Sequence, residues 1–70
     1  MSGLAKRSVT LAGHRTSVAL EPAFWAVLEA EAMRRGGSLA GLIAEIDAAR
    51  GPSPLASALR VFALAAVRRD

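Results

Sequence analysis

Few residue types in this 70-residue chain could make or break bonds, and their spacing argues against it. His14 is the single histidine and cysteine is absent. One chain therefore holds no disulfide framework, no thiolate zinc site and no thiol nucleophile. As a metal ligand or general base, His14 lacks a companion imidazole, thiol or carboxylate cluster. Glu45 and Asp47 are two residues apart, off a common helix face, so they read as solvated rather than as an acid–base pair. With no nucleophile–base pair and no phosphate loop, neither an enzyme nor a cofactor is expected. The chain offers instead positive charge and hydrogen-bonding groups at alternating positions. Arg15, Ser17 and Ala19 alternate with Thr16, Val18 and Leu20, and residues 1–20 carry Lys6, Arg7 and Arg15 without an acid, a charge of +3. Residues 21–50 come to −2 and residues 51–70 to +2. Two chains together gather +6 in their N-terminal segments, an electrostatic footprint for a polyanion. A solubilising terminus is a competitor of equal weight.

These residues need elements to position them. The alternation from Arg15 to Leu20 is a strand signal, with Thr16, Val18 and Leu20 on one face and Arg15, Ser17 and Ala19 on the other. A shorter alternation, Ser8 to Leu11, precedes it across Ala12-Gly13. Gly13 suits either a bulge or a turn, which leaves open one long kinked strand or two short ones. Pro22 marks the first position of a helix carrying Phe24, Leu28 and Ala32 on one stripe, with Trp25 beside them. Next to Phe24, Trp25 reads as core or interface rather than as a base-stacking platform. Arg34 and Arg35 serve the helix dipole and solubility, and Gly36-Gly37 ends the helix. Ser38 caps a second helix, in which Leu39, Leu42, Ile43 and Ile46 share a face. Gly51-Pro52 stops it, and Ser53-Pro54 opens a third helix with Ser53 as its cap. That helix is apolar on two sides, through Leu55, Leu59, Phe62 and Ala66 and through Ala58, Val61, Leu64 and Ala65. It is expected to be buried on both, with Arg68 and Arg69 favouring the dipole in its last turn.

Composition adds a reason to expect two chains. The sequence is 53% apolar, but sixteen of these residues are Ala and only Phe24, Trp25 and Phe62 are aromatic. A small chain with few bulky anchors completes its core most cheaply in an oligomer. A lone strand would also leave both edges unpaired, and an identical chain can supply a partner. No secretory signal or stretch long enough to span a membrane is legible, so a cytoplasmic protein without a membrane partner is expected.

The strand HRTSVALEP running directly into a helix, a Gly-containing turn, Ser38 and a second helix resemble the ribbon-helix-helix DNA-binding family. VTLAGHRTSVALEPAFW, LIAEIDAAR and LASALRVFALAAVR resemble a small bacterial branch of it with an added third helix. The resemblance implies a mainly helical, intertwined homodimer in which two strands form an antiparallel ribbon. It divides the chain into a basic arm over 1–14, a ribbon-helix-helix core over 15–50 and a C-terminal helix over 51–70 at the dimer interface. It also implies double-stranded DNA as partner, with Arg15, Ser17 and Ala19 of each chain reading bases in the major groove. Arg can make two hydrogen bonds to guanine, Ser pairs with several bases, and Ala can touch a thymine methyl. Ala19 departs from the longer polar or basic residue usual there. The resemblance places a DNA phosphate at the amides of Ser38 and Leu39, since a helix N-terminus attracts anions. Lys6, Arg7 and His14 are expected at the phosphate backbone. Gly37 is a second departure, because an apolar residue between Gly and Ser usually plugs the core. The expected function is a transcriptional regulator that represses by occupying a promoter. The alternative is a protein-interaction or antitoxin-like module docking a partner through its third helix.

Overall fold

Ala12 and Gly13 decide the arrangement of the N-terminal segment. Both have positive φ, 52° and 82°, the conformation of a two-residue hairpin turn whose twist matches that of the strands it joins. In the computed structural model, which describes residues 3–68, strands β1 (Ala5–Leu11) and β2 (His14–Leu20) flank this turn. They pair antiparallel, from Leu11 opposite His14 to Ala5 opposite Leu20. Of the two arrangements left open by the alternation, the chain adopts two strands. The strand expected over 15–20 thus finds a partner in its own chain, whereas the sequence reading looked to a second chain for one. The physical reason is the turn: two residues with positive φ fold the basic arm back along β2 instead of letting it trail.

Three helices follow, α1 (Pro22–Arg34), α2 (Leu39–Ala49) and α3 (Leu55–Arg68). Together with the two-stranded sheet they make the mainly helical ribbon-helix-helix architecture expected. Pro22 opens α1, where its missing N–H costs nothing. Gly36, at φ 76°, closes it in a left-handed cap. Gly36 N–H donates to the Met33 carbonyl and Gly37 N–H to that of Ala32, both at 3.0 Å, which satisfies carbonyls the helix end would leave bare. Ser38 caps α2, its Oγ accepting from Gly41 N–H at 3.0 Å. At α3 the cap falls one residue later than expected. The Pro54 carbonyl accepts from Ala58 N–H at 3.0 Å, while the Ser53 carbonyl is taken by the Arg50 guanidinium at 2.5 Å. Arg69 lies outside the described residues.

The helices cover one face of the hairpin. Val18 and Leu20 enter a core with Trp25, Leu28, Ala32, Leu42, Ile43, Ile46, Leu59 and Ala63. Ala5, Val9 and Leu11 pack against it from β1. On α1, Leu28 and Ala32 of the expected stripe are buried, but Trp25 rather than the half-buried Phe24 supplies the inward aromatic ring. In α3 only one side packs within the chain. Leu59 and Ala63 are buried, but Val61, Leu64 and Val67 remain 68, 51 and 58% exposed. No helix among the described residues is long and apolar enough to cross a membrane.

Candidate nucleic-acid interface

Directly opposed residues of an antiparallel pair share a face, so the register fixes the two sides of the hairpin. Ala5, Arg7, Val9 and Leu11 lie with His14, Thr16, Val18 and Leu20 on the helix side. The other side carries three cross-strand pairs, Lys6–Ala19, Ser8–Ser17 and Thr10–Arg15. Ala19 is half-buried and the other five are exposed. The alternation-based division of β2 therefore agrees with the strand geometry, with Thr16 near the hairpin tip exposed though it shares the helix face.

The outward face is chemically uniform. It holds two cations, three hydroxyls and a methyl, and no carboxylate. The charges are also uncommitted. Arg7, Arg34, Arg35, Arg50 and Arg60 each have a carboxylate partner; Lys6 and Arg15 have none among the described residues. A cation not held by a carboxylate keeps its full charge and hydrogen-bonding capacity for a ligand.

Arg7 differs from its neighbour Lys6. It lies on the helix side, where it donates to Glu29 at 2.6 Å and its guanidinium sits 4.7 Å from the centre of the Trp25 ring. Its geometry is that of a tie between β1 and α1, and it is not brought together with Arg15 and Ser17. The Trp25 indole N–H donates to the Ala5 carbonyl at 2.7 Å, so Trp25 is a core residue that anchors the start of β1. His14 is exposed beside the turn. It is not part of a metal-binding cluster among the described residues.

The second expected contact lies at the start of α2. Ser38 is exposed, and the Gly41 amide is already capped by its hydroxyl oxygen. The Leu39 and Ala40 amides and the Ser38 hydroxyl hydrogen are the donors that this helix start can turn toward an anion. The Leu39 side chain is half-buried against the core. Gly37 leaves an open depression of about 130 Å³ between Ala32, Ser38, Gly41 and Leu42. A Cβ at Gly37 would meet nothing within 4 Å.

Arg35 and Arg60 join helices. Arg35 reaches Glu31 at 3.0 Å and Glu45 at 3.3 Å and lies 5.2 Å from the Phe62 ring centre. Arg34 binds Glu31 at 2.7 Å, and that bond raises the Arg34 pKa from its ordinary value. Arg60 donates to Glu21 at 3.0 Å and lies over the Phe24 ring. A hydrogen bond to backbone at Glu21, then the Arg60 bond, hold the Glu21 carboxyl below its ordinary value. Arg34 and Arg35 are thus ion-pairing residues, beyond the dipole role read from sequence.

Ser8 and Thr10 were not among the sequence candidates, yet they share the outward face with Arg15 and Ser17. The signal that could have found them is Ala12-Gly13 between two alternations, since a two-residue loop fixes which residues stand opposite one another. A family model described as a ribbon-helix-helix domain matches residues 4–67. No curated protein and no solved structure matches the chain.

Proposed function

The chain belongs to the ribbon-helix-helix family, typically DNA-binding transcription regulators and antitoxins, and on that footing we propose that it is a homodimeric, sequence-specific DNA-binding protein. It acts as a transcriptional regulator, a repressor that occupies a promoter by inserting an antiparallel β-ribbon into the major groove. The observation that carries this reading is the outward hairpin face, where Lys6 and Arg15 stand among three hydroxyls without ion-pair partners among the described residues. The major groove admits a two-stranded ribbon. Phosphate attraction supplies much of the affinity, while Arg15 on guanine and Ser17 on several bases supply readout. Ala19 offers only a methyl contact. The Leu39 amide and Ser38 hydroxyl hold a phosphate at the start of α2, and His14 and Lys6 lie at the margins of the ribbon.

The dimer reading rests on α3. Val61, Leu64 and Val67 are more than half exposed, and Val61 borders an open groove of about 490 Å³ with Ile46, Ala49, Ala58 and Phe62. Covering this apolar surface with a second copy completes the core that a short, alanine-rich chain cannot finish alone. The same face favours the second reading, an antitoxin-like module whose third helix docks another protein. Leu64→Glu separates the two because Leu64 makes no ion pair, unlike Arg60, which is tied to Glu21. Loss of the dimer by sedimentation supports self-association; an unchanged dimer turns α3 toward another partner. Selection of duplexes from a random-sequence pool tests DNA binding itself. An enriched motif is expected, and a pool that never enriches contradicts the proposal.

A further inference from the structure

One guanidinium meets all three helices. Arg35, at the C-terminal cap of α1, donates through Nε to Glu31 of α1 at 3.0 Å and through Nη1 to Glu45 of α2 at 3.3 Å. Its Cζ lies 5.2 Å from the centre of the Phe62 ring on α3. Glu31 is buried and Glu45 exposed, so the guanidinium is fixed on its α1 side and reaches outward to α2. Directly after Arg35 the chain turns through Gly36 and Gly37, which bring no side chain to the space beside them. The open depression there is bounded by Ala32 of α1, by Gly41 and Leu42 of α2, and by Arg35 and Glu45 themselves. The Arg35–Glu45 pair is thus a polar bridge from α1 to α2 beside a gap left open.

We infer that Arg35 and Glu45 are positioning residues for the phosphate contact at the start of α2. This rests on the DNA-binding reading above and adds to it residues that act without touching DNA. α1 continues from β2 through Glu21 alone, so where the first turn of α2 stands against α1 is also where it stands against the ribbon. A hydrogen bond to phosphate weakens steeply away from its preferred distance and angle, so the bridge decides how well the Ser38 hydroxyl and the first amides of α2 meet their phosphate. Arginine suits the task. Its planar fork addresses two carboxylates in fixed directions while its face rests on an aromatic ring, which a lysine ammonium cannot do at once. The bridge is partly exposed, so it adds little to stability; its effect is on direction. Glu45 makes the distinction sharp. As a carboxylate on the helix that receives the anion, it opposes DNA binding by charge, yet as the far end of the bridge it favours binding by position.

Glu45→Ala and Arg35→Lys in the full-length chain separate position from charge on the duplex enriched from the random pool. If charge alone counted, removing the Glu45 carboxylate would tighten binding. The expected result is binding about fivefold weaker to the enriched duplex and to scrambled DNA alike, because a phosphate contact carries no sequence information. Arg35→Lys keeps the charge and should weaken both by a similar factor. Melting temperatures should fall by no more than about 5 °C. Gly37 has no left-handed φ and a Cβ there meets nothing within 4 Å, so Gly37→Leu sets an apolar side chain in the depression. Added to Glu45→Ala, it should recover the affinity without remaking the bridge. The inference is overturned if Glu45→Ala binds as the wild type does or tighter, or if it loses preference while its affinity for scrambled DNA is unchanged. It is overturned too if Gly37→Leu raises the melting temperature of the Glu45→Ala chain without recovering affinity. In each of these cases the wild type still selects its duplex and the DNA reading stands. A wild type that enriches no duplex sinks the DNA reading itself and takes this inference with it.

Discussion

Trp25→Phe attacks the joint on which the ribbon depends. The indole is 1% exposed, donates to the Ala5 carbonyl at 2.7 Å and lies under the Arg7 guanidinium. Phenylalanine keeps an aromatic face for Arg7 but loses the N–H and one fused ring. Loss of the hydrogen bond costs about 1 kcal/mol. The smaller ring leaves unfilled space worth about 1–2 kcal/mol, by analogy with large-to-small core changes. The expected loss is therefore about 2–3 kcal/mol, or roughly 10–20 °C in melting temperature for a domain of this size. Urea unfolding followed by circular dichroism measures the total, since the substitution removes the single tryptophan. Amide exchange locates it: Ala5–Leu11 should open at lower free energy than α1. A loss below about 0.5 kcal/mol, or unchanged protection in β1, refutes the idea that this bond anchors the strand.

Further outcomes follow from the turns and the exposed carboxylate. Ala12→Asn should stabilise the protein by about 0.5–1 kcal/mol, because Asn accepts positive φ better than Ala in this turn; a lower urea midpoint contradicts the turn assignment. Gly36→Ala should cost about 1 kcal/mol for a side chain at φ 76°. Gly37→Ala, with open space around it, should gain about 0.4–1 kcal/mol by restricting the unfolded chain, and the two melting temperatures should move in opposite directions. The Glu21 carboxyl is held below its ordinary value of 4.5 in the folded chain. Its contribution is therefore present above that value and lost as pH falls through the lower folded one. Glu21→Gln should flatten the acid side of the stability profile; an identical acid slope would show that neither the backbone hydrogen bond nor the Arg60 pair favours the Glu21 carboxylate in solution.

The helices were legible because each signal was local. Pro22, Gly36 and Ser38 act through their own backbone geometry, and the Leu39, Leu42, Ile43, Ile46 spacing needs only one helix to be read. The two faces of β2 followed from alternation for the same reason. The second strand was harder, because it depends on Ala12 taking a left-handed conformation that Ala rarely adopts and that the Gly13 signal alone does not settle. Ser8 and Thr10 were missed with it, since their place beside Ser17 and Arg15 exists only once the register is known. Arg7 shows a related limit. Its charge suggested phosphate, but β1 alternation turns it toward Glu29 and Trp25, neither of which is near it in sequence. In α3 the doubled apolar face was expected to be buried on both sides; one side packs within the chain, and Val61, Leu64 and Val67 on the other are exposed.

The most direct measurement is fluorescence anisotropy of a labelled duplex from the gene's own upstream region, titrated with protein at several salt concentrations. Arg15→Ala/Ser17→Ala is run beside the wild type. If Lys6 of each of two chains displaces a counterion from a phosphate, log affinity should fall with log salt at a slope of about −1.8, roughly tenfold between 50 and 200 mM. The variant should lose its preference over scrambled DNA while remaining folded and keeping the salt slope set by its phosphate contacts. A wild type that binds no better than the variant at low salt, with no preference for either duplex, contradicts the claim that this ribbon reads DNA.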